Sequence, residues 1–332
     1  MLRGSPRRRD RRVLIITWWC YLLALLGAAL LVRLATDVVL IATVLSFGPR
    51  WLLLLPGVFG LFVITRHRRQ WPTLLVYVVT CSVLLNPSLN VAAYWSPPRG
   101  NTIRIVTQNI GGGRLDMARF IEWLSDTEPD VVLLQECSNR GAAVLQAFQQ
   151  WQAHRDGGLC LATRFEIQEV AAVDRRAFGG WGNIAVRYRT AAEGLSLTLL
   201  NVHLETPREG FEAFGRGWSA GMAAVARVDR LRRLESRLAR DLLGSSPDEG
   251  VAVAGDFNMP VESAIYRDSW SDLANAFSEA GLGLGHTKAT RWFGTRIDHV
   301  LANRLLTPVR SWVGPSVGGD HRPVVADFVF KS

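Results

Sequence analysis

Hydrophobic residues change their pattern along the chain near residue 96. Before that point they form long apolar runs, the first of which covers residues 13–32 without a charged side chain. After it they occur in short runs, or at the three-to-four-residue spacing of an amphipathic helix. Long apolar runs are typical of membrane-spanning helices, whereas short runs between polar turns are typical of an α/β domain. The pattern therefore predicts a membrane region followed by a globular domain.

Residues 1–95 are predicted to form the membrane region, with three transmembrane helices at 13–32, 48–65 and 71–89. About 20 residues are needed to cross the hydrocarbon core. The second span is the least regular of the three, because Pro49 and Arg50 interrupt its apolar region. A cleaved signal peptide is the alternative for the first run, but its length and the apolar segments after it favour a retained helix.

Arginines predict the orientation of these helices. Six of them lie between residues 3 and 12, and Arg66, Arg68 and Arg69 lie between the second and third spans. By the positive-inside rule, both segments are cytoplasmic. Three spans then place the rest of the chain outside the cytoplasm, anchored in a plasma or inner membrane, whereas two spans would leave it inside.

The remainder of the chain reads as a linker, 96–101, and an α/β domain, 102–332. Short apolar strands are predicted at 102–108, 131–134, 195–202 and 251–254, and amphipathic helices at 116–126 and 225–243. Residues 205–221 are expected to form a loop at the rim of the domain.

Polar side chains follow these predicted strands at the points where they end. A single one has an ordinary explanation: Asp256 and Asn258 alone suit a turn, and Glu136 alone suits the start of a helix. Together they favour a functional site, because strand ends in α/β proteins converge where ligands bind. The set consists of Asn109, Glu136, His203, Asp256, Asn258, Asp298, Asp320 and His321.

Charge and cysteine content limit the classes of function. Residues 1–99 hold 12 arginines and two aspartates, whereas residues 100–332 hold 26 basic and 27 acidic residues. The domain thus lacks the positive balance of a dedicated nucleic-acid binder. The arginines at 227–240 are interpreted as a solvated helix face paired with Asp229, Glu235 and Asp241. The four cysteines show no zinc spacing or disulfide framework, and a single bridge from Cys137 to Cys160 is left open.

The order of the motifs resembles the endonuclease/exonuclease/phosphatase superfamily, whose members include DNase I, abasic-site endonucleases, inositol polyphosphate 5-phosphatases and neutral sphingomyelinases. The motifs are T-Q-N at 107–109, L-Q-E at 134–136, N-V-H-L at 201–204, G-D-F-N at 255–258, R-I-D-H at 296–299 and G-D-H-R-P-V at 319–324.

This resemblance implies a DNase I-like four-layer α/β/β/α sandwich of two mixed sheets, and Mg²⁺-dependent cleavage of a phosphoester. The chain departs from the family pattern at Gly319, where many members have serine. The motif that binds phosphate in nucleases, between Glu136 and His203, is also not clear. Candidates for it are Arg175, Arg176, Trp181 and Asn183.

The resemblance also implies a role for each residue at the strand ends. Glu136 would be the main ligand of Mg²⁺ or Mn²⁺, with Asn109 nearby and Asp320 contributing. Asp256 would orient or deprotonate the attacking water, and Asn258 would position that water or the phosphate. His203 and His321 would donate hydrogen bonds to the phosphate, with Asp298 orienting His321. Whether Asp256 or His321 takes the proton is left open.

Three functions are therefore considered. The first is a membrane-anchored hydrolase that cleaves a lipid headgroup or a small phosphoester, with the lipid bilayer as its other partner. The second is an extracytoplasmic nuclease acting on DNA or RNA. The third, a non-catalytic membrane scaffold, is disfavoured by the complete set of polar residues.

Overall fold

The computed structural model describes residues 6–95, 102–111, 115–137, 139–192, 195–244, 248–290 and 292–331. The predicted linker, 96–101, and two glycines of the loop after the first strand, Gly112 and Gly113, lie outside these ranges. The chain forms two compact units. One comprises the residues up to Pro87 with Glu262–Ala264, and the other comprises Ser88–Val261 with the residues from Ile265 onward.

Helices and strands are numbered separately along the chain. The helices are α1 Pro6–Ala35, α2 Leu40–Phe47, α3 Pro56–Arg66, α4 Pro72–Leu85, α5 Val91–Trp95, α6 Met117–Thr127, α7 Asn139–Ala147, α8 Arg208–Glu212, α9 Trp218–Leu243, α10 Ala264–Trp270 and α11 Ala276–Ala280. The strands are β1 Ser88–Leu89, β2 Thr102–Asn109, β3 Val131–Gln135, β4 Gln152–Asp156, β5 Leu159–Thr163, β6 Glu166–Asp174, β7 Asn183–Ala192, β8 Leu195–His203, β9 Gly250–Asp256, β10 Ala274–Asn275, β11 Leu282–Gly283, β12 Lys288–Ala289, β13 Gly294–Thr295, β14 Asp298–Ala302, β15 Leu306–Val313 and β16 Val324–Phe330.

The N-terminal unit is helical. Among the described residues, one helix is long and apolar enough to cross a membrane, over Arg9–Ala35. A second candidate arises only if Leu40–Phe47 and Arg50–Arg66, which meet at a bend of 99°, count as one span. The prediction of three spans therefore finds direct support only for the first.

The third predicted span, 71–89, extends too far at its C-terminal end. Helix α4 ends at Leu85 because Asn86 adopts the left-handed conformation, with φ of +53°, and Pro87 follows it. Residues Ser88 and Leu89 then form β1, which pairs antiparallel with β11. The second unit therefore begins at Ser88, earlier than the predicted start of the domain at 102.

Two mixed six-stranded sheets form the centre of the second unit. The strand order is β15-β16-β2-β3-β5-β4 in the first sheet and β10-β14-β9-β8-β7-β6 in the second. One apolar core lies between the sheets and includes Ile105, Leu133, Leu199 and Ala252. A second core lies under α6 on the first sheet and a third under α9 on the second. The predicted four-layer α/β/β/α sandwich is thus confirmed.

Buried amides also join the two sheets. The side chain of Gln135, on β3, donates to the Asn201 amide oxygen on β8 at 2.7 Å. Asn201 in turn donates to the backbone carbonyls of Leu134 and Cys160, at 3.0 Å each. Two positions of the family motifs therefore have a structural role, since these buried amides form hydrogen bonds across the sandwich.

The region before and within helix α9 differs from the prediction. The expected loop at 205–221 contains α8, and α9 begins at Trp218 rather than at Val225. Glu235, expected to pair with arginines of its own helix, is buried and binds Arg175 at 2.7 Å. Arg227, Arg233 and Arg240 form ion pairs with the acids of other segments, Glu209, Asp268 and Asp272.

A disulfide joins Cys137, directly after β3, to Cys160 on β5. The sequence alone neither excludes nor favours this disulfide. The two Cα atoms lie 5.9 Å apart, within the range that a disulfide spans. Cys20 and Cys81 remain free thiols.

Reduction of this disulfide should destabilise the second unit. A bridge that closes a loop of this length contributes about 3 kcal/mol to the free energy of unfolding by restricting the unfolded chain.

Alkylation of the denatured, unreduced protein should modify Cys20 and Cys81 but not the other two cysteines, as read by peptide mass spectrometry. Modification of all four cysteines without reductant would show that the bridge is absent.

Candidate active site

Asp256 lies at the centre of the predicted site, at the end of β9. Its neighbours in the sheet are His203, on the parallel strand β8, and Asp298, on the antiparallel strand β14. The Asp256 carboxylate is buried, and its Oδ1 accepts the backbone N–H of Asn258 at 2.9 Å. Its Oδ2 accepts the Asn109 amide at 3.0 Å, from β2 in the other sheet. The carboxylate is therefore held by both sheets.

Asn109 also links Asp256 to Glu136. Its amide nitrogen lies 2.9 Å from Glu136 Oε1. The Glu136 side chain is 47% exposed and lies against Gly111, where an added Cβ would approach Glu136 Oε2 to 1.8 Å. A glycine is thus required at this point for the carboxylate to keep its position.

Glu136 and Asn109 fit the divalent cation that the family pattern implies. Magnesium prefers oxygen ligands and keeps several waters, so one carboxylate with an amide oxygen beside it is a suitable donor set. Glu136 offers a half-exposed carboxylate above Gly111. Asn109 Oδ1 accepts the Gly111 N–H at 2.9 Å and has a second lone pair. These two residues are the ones that would hold the ion.

His321 is paired with Asp298 in the interior. Its Nδ1 lies 2.9 Å from Asp298 Oδ2, and both side chains are buried. The backbone N–H of Asp298 donates to the Thr287 hydroxyl at 3.1 Å, which helps to fix the carboxylate. Burial raises the pKa of Asp298, although His321 and this hydroxyl oppose the shift. The structure thus places Asp298 in contact with His321, as the predicted orienting role requires.

His321 and His203 have opposite pKa shifts. Burial lowers the pKa of His321, but the carboxylates of Asp298 and Asp256 outweigh burial and raise it to about 9. The ammonium of Lys288, 2.7 Å from His321 Nε2, works against this rise. The pKa of His321 rises overall because two carboxylates and only one ammonium lie close to its ring. Burial lowers the pKa of His203, and the attraction of Asp256 does not compensate for it.

The Nε2 atoms of both histidines point towards Asp256. His321 Nε2 lies 3.7 Å and His203 Nε2 lies 3.9 Å from Asp256 Oδ2, and His203 Nε2 is also 3.8 Å from Glu136 Oε1. These separations are too long for direct hydrogen bonds. The two rings therefore converge on the Asp256 carboxylate without bonding to it directly.

Asn258 and Asp320 have contacts that the sequence did not indicate. The side-chain amide of Asn258 donates to the Leu204 carbonyl at 2.8 Å, so the amide nitrogen is used in holding the turn. Asp320 is half-exposed and pairs with Lys288 at 3.0 Å. Burial acts to raise the pKa of Asp320, but Lys288 lowers it overall. Among the described residues, the acidic and histidine groups close enough to share an ion are Asp256, Asp298 and His321, without Asp320.

Two turns at this edge of the sheets keep non-glycine residues in the left-handed conformation. Glu136 has φ of +52° and Asn258 has φ of +51°, each soon after the end of a strand. Such conformations are unfavourable and persist where the surroundings hold them. Cys137, joined to Cys160 by the disulfide, holds the first turn, and the Leu204 carbonyl holds the second. Both side chains are thereby presented to the site by turns that have little freedom to move.

A cavity of about 170 Å³ brings four of the eight predicted residues together. Glu136, His203, Asp256 and Asn258 line it, and so do Arg175, Arg208 and Lys288. Arg175, one of the candidates for the unclear motif, is held by Glu235 and by the His203 carbonyl. Arg176 pairs instead with the exposed Asp174.

Lys288 is the residue that sequence reasoning missed. It lies on a two-residue strand without a recognisable apolar pattern. A compositional signal was available, because only two of the 38 basic residues are lysines, Lys288 and Lys331. A lysine ten residues before Asp298 stands out in such an arginine-rich chain.

Comparison with known proteins agrees with this geometry. The model of the Endonuclease/Exonuclease/phosphatase family matches residues 106–321. The chain belongs to this family. A search of curated proteins gave no match. Since the family comprises hydrolases of phosphoester bonds that generally use divalent metal ions, the protein is a hydrolase that acts on ester bonds.

Solved structures of the family share the fold at low sequence identity. A truncated TDP2 from Caenorhabditis elegans is 17% identical, with a TM-score of 0.54 over 69% of this chain and 98% of its own. A family member from Beutenbergia cavernae is 16% identical. Its TM-score is 0.53, and the match covers 70% of this chain and 72% of its own. TDP2 from D. rerio, complexed with single-strand DNA product, is 16% identical. Its TM-score is 0.52, and the match covers 69% of this chain and 100% of its own.

The arrangement can perform phosphoester hydrolysis. A divalent cation bound at Glu136 would neutralise phosphate charge and polarise a phosphoryl oxygen. The Asp256 carboxylate is fixed by Asn109 and by the Asn258 backbone, so it can orient a water and accept its proton. His321 has a raised pKa, and its Nε2 already faces the Lys288 ammonium at 2.7 Å, so it is poorly placed to take a proton from water. This favours Asp256 over His321 as the proton acceptor.

Three substitutions test these roles. We expect Glu136→Gln, Asp256→Asn and His321→Ala each to lower kcat by about 10²-fold or more, because one acid–base group contributes about 10²–10⁴-fold. Steady-state kinetics on a phosphoester, with circular dichroism to confirm folding, would measure the effect. Turnover near that of the wild type in any two folded variants would contradict the assignment.

A second prediction concerns pH and stability. The pKa of His321 rises from 6.5 to about 9 on folding, so its contribution to stability is complete below pH 6.5 and is lost as the pH rises through about 9. The difference in unfolding free energy between the wild type and His321→Gln should therefore shrink by a few kcal/mol over this interval. Denaturant titrations at fixed ionic strength would measure it. A difference that does not change with pH would contradict the shift.

Proposed function

We propose that this protein is a membrane-anchored, Mg²⁺-dependent phosphoesterase that hydrolyses a lipid headgroup or a small phosphoester outside the cytoplasm. The observation that supports it most directly is the continuous contact between Glu136, Asn109 and Asp256, with the two histidines converging beside it. Mg²⁺ is the proposed ion because its preferred oxygen donors are the ones that Glu136 and Asn109 present. Mn²⁺ would use the same donors.

Helix α1 supports the membrane anchor. Leu23, Leu30 and Leu34 are among its exposed apolar side chains, and its uncharged run at residues 13–32 is long enough to cross a bilayer. A water-facing surface rarely carries such a continuous apolar stretch, whereas a lipid-facing one requires it. The bilayer is therefore the proposed partner of the N-terminal unit.

Two observations support the extracytoplasmic side. By the positive-inside rule, the arginines flanking the predicted spans favour a cytoplasmic N-terminus, and the three predicted spans then favour an external domain. The Cys137–Cys160 disulfide fits an oxidising compartment, because such bonds are rare in the cytosol.

A lipid or small substrate is favoured by the charge of the domain. Residues 100–332 hold 26 basic and 27 acidic residues, and arginines along α9 are engaged in ion pairs with acids. Phosphate contacts supply most non-specific affinity for nucleic acid, so a domain without a net positive charge is poorly suited to it.

A nuclease is the second candidate. A cavity of about 710 Å³ adjoins the smaller one through Glu136, Arg175 and His203, and Trp181 at its edge is 82% exposed. An exposed aromatic ring can stack on a nucleic-acid base. The single-strand DNA product bound to the TDP2 of D. rerio shows that this fold accommodates such a ligand.

A substrate panel distinguishes the two candidates. The full-length protein in detergent, with Mg²⁺, would be offered plasmid DNA, RNA, sphingomyelin, phosphatidylinositol phosphates and bis-p-nitrophenyl phosphate, with Asp256→Asn as the control. We expect hydrolysis of a lipid or small phosphoester that stops after treatment with EDTA and returns with Mg²⁺. Cleavage of DNA or RNA without lipid cleavage would favour the nuclease, and activity that survives EDTA would contradict metal dependence.

A further inference from the structure

Lys288 occupies a fixed position at the catalytic cavity. The antiparallel bridge between Lys288 and His321 joins β12 to the segment that carries the catalytic histidine. Two backbone hydrogen bonds reinforce this contact, from Arg322 to Thr287 at 2.7 Å and from Ala289 to Asp320 at 3.1 Å. The lysine side chain therefore starts from a rigid backbone and ends at the cavity that Glu136, His203 and Asp256 line.

The ammonium of Lys288 has donor capacity beyond its two contacts. It lies 3.0 Å from Asp320 Oδ2 and 2.7 Å from His321 Nε2, and the side chain is 24% exposed. A lysine ammonium carries three hydrogens. At least one of them remains for a ligand in the cavity that Lys288 lines.

The other cations of the cavity do not have this combination of position and free donors. The guanidinium of Arg175 is engaged by Glu235 and by the His203 carbonyl. Arg208 is exposed on the short helix α8 at the rim and has no contact with the catalytic histidines among the described residues. Lys288 is the cation that touches His321 directly.

We propose that Lys288 is a substrate-binding residue whose ammonium donates to a non-bridging oxygen of the phosphoryl group. This inference rests on the proposed phosphoesterase function and adds to it a residue that the family motifs do not contain. Asp320 then serves to hold the ammonium in reach of the phosphate, which accounts for its ion pair with Lys288.

A purely structural role is the alternative explanation. Lys288 would then only connect β12 to Asp320 in the loop before β16, and its loss would reduce stability without affecting phosphate binding. The two explanations differ in whether phosphate contacts the ammonium, so the test must include a measurement of that contact.

Chemical labelling provides this measurement without relying on activity. The full-length protein in detergent would be acetylated with an amine-reactive ester, in the presence of Mg²⁺, with and without inorganic phosphate. Lys331, the other lysine, is exposed near the C-terminus and serves as the internal reference. We expect phosphate to slow acetylation of Lys288 several-fold and leave Lys331 unchanged, as read by peptide mass spectrometry. Equal rates at Lys288 with and without phosphate would overturn the proposal.

Kinetics on the best phosphoester of the panel provide the second measurement. We expect Lys288→Met to lower kcat/KM by about 10- to 100-fold, mainly through KM, which is the loss expected for one hydrogen bond to a charged group. Lys288→Arg should recover part of this loss, and the matched control Lys331→Met should behave as wild type. An unchanged KM in folded Lys288→Met would overturn the assignment while leaving the phosphoesterase function intact.

The labelling result also separates the two proposals if no substrate in the panel is cleaved. In that case the phosphoesterase function would fail, while protection of Lys288 by phosphate would still support a phosphate site. If Lys288→Met does not fold, Lys288→Arg and the labelling of the wild type decide the question.

Discussion

The site depends on one buried carboxylate, Asp256, held between two sheets. A carboxylate away from water is costly unless hydrogen bonds replace its hydration. The Asn109 amide supplies one such bond from the first sheet, and the Asn258 backbone supplies another from the turn that follows β9. Each bond to a charged group contributes about 1.5–3 kcal/mol. The packing of the sheets and the geometry of the site therefore constrain each other.

Polar residues at strand ends were predictable because their position depends only on local pattern and on the convergence of strand ends. Asn109, Glu136, His203 and Asp256 follow apolar runs that the sequence shows plainly, and parallel pairing brings their ends to one edge. The pairing of Asp298 with His321 followed from the family resemblance, since neither residue is near the other in the chain.

Other features depend on tertiary contacts that leave no local pattern. Lys288 reaches the cavity through a two-residue strand bridged to His321. Arg175 is oriented by Glu235, 60 positions away in the chain. The sequence instead suggested that this glutamate pairs with arginines of its own helix. Strand β1 follows an apolar helix closely enough to be read as its last turn, and only its pairing with β11 reveals the boundary.

The charge distribution bears on how a substrate is selected. Paired arginines give the domain little long-range attraction for a polyanion, so recognition depends on short-range contacts inside the cavity. The chain passes from α4 to β1 with only Asn86 and Pro87 between them. If the N-terminal unit is the membrane anchor proposed above, this short connection keeps the hydrolase at a high effective concentration relative to membrane lipids. Weak intrinsic affinity for one phosphate group would then suffice for a lipid substrate, whereas a soluble polymer would gain nothing from the connection.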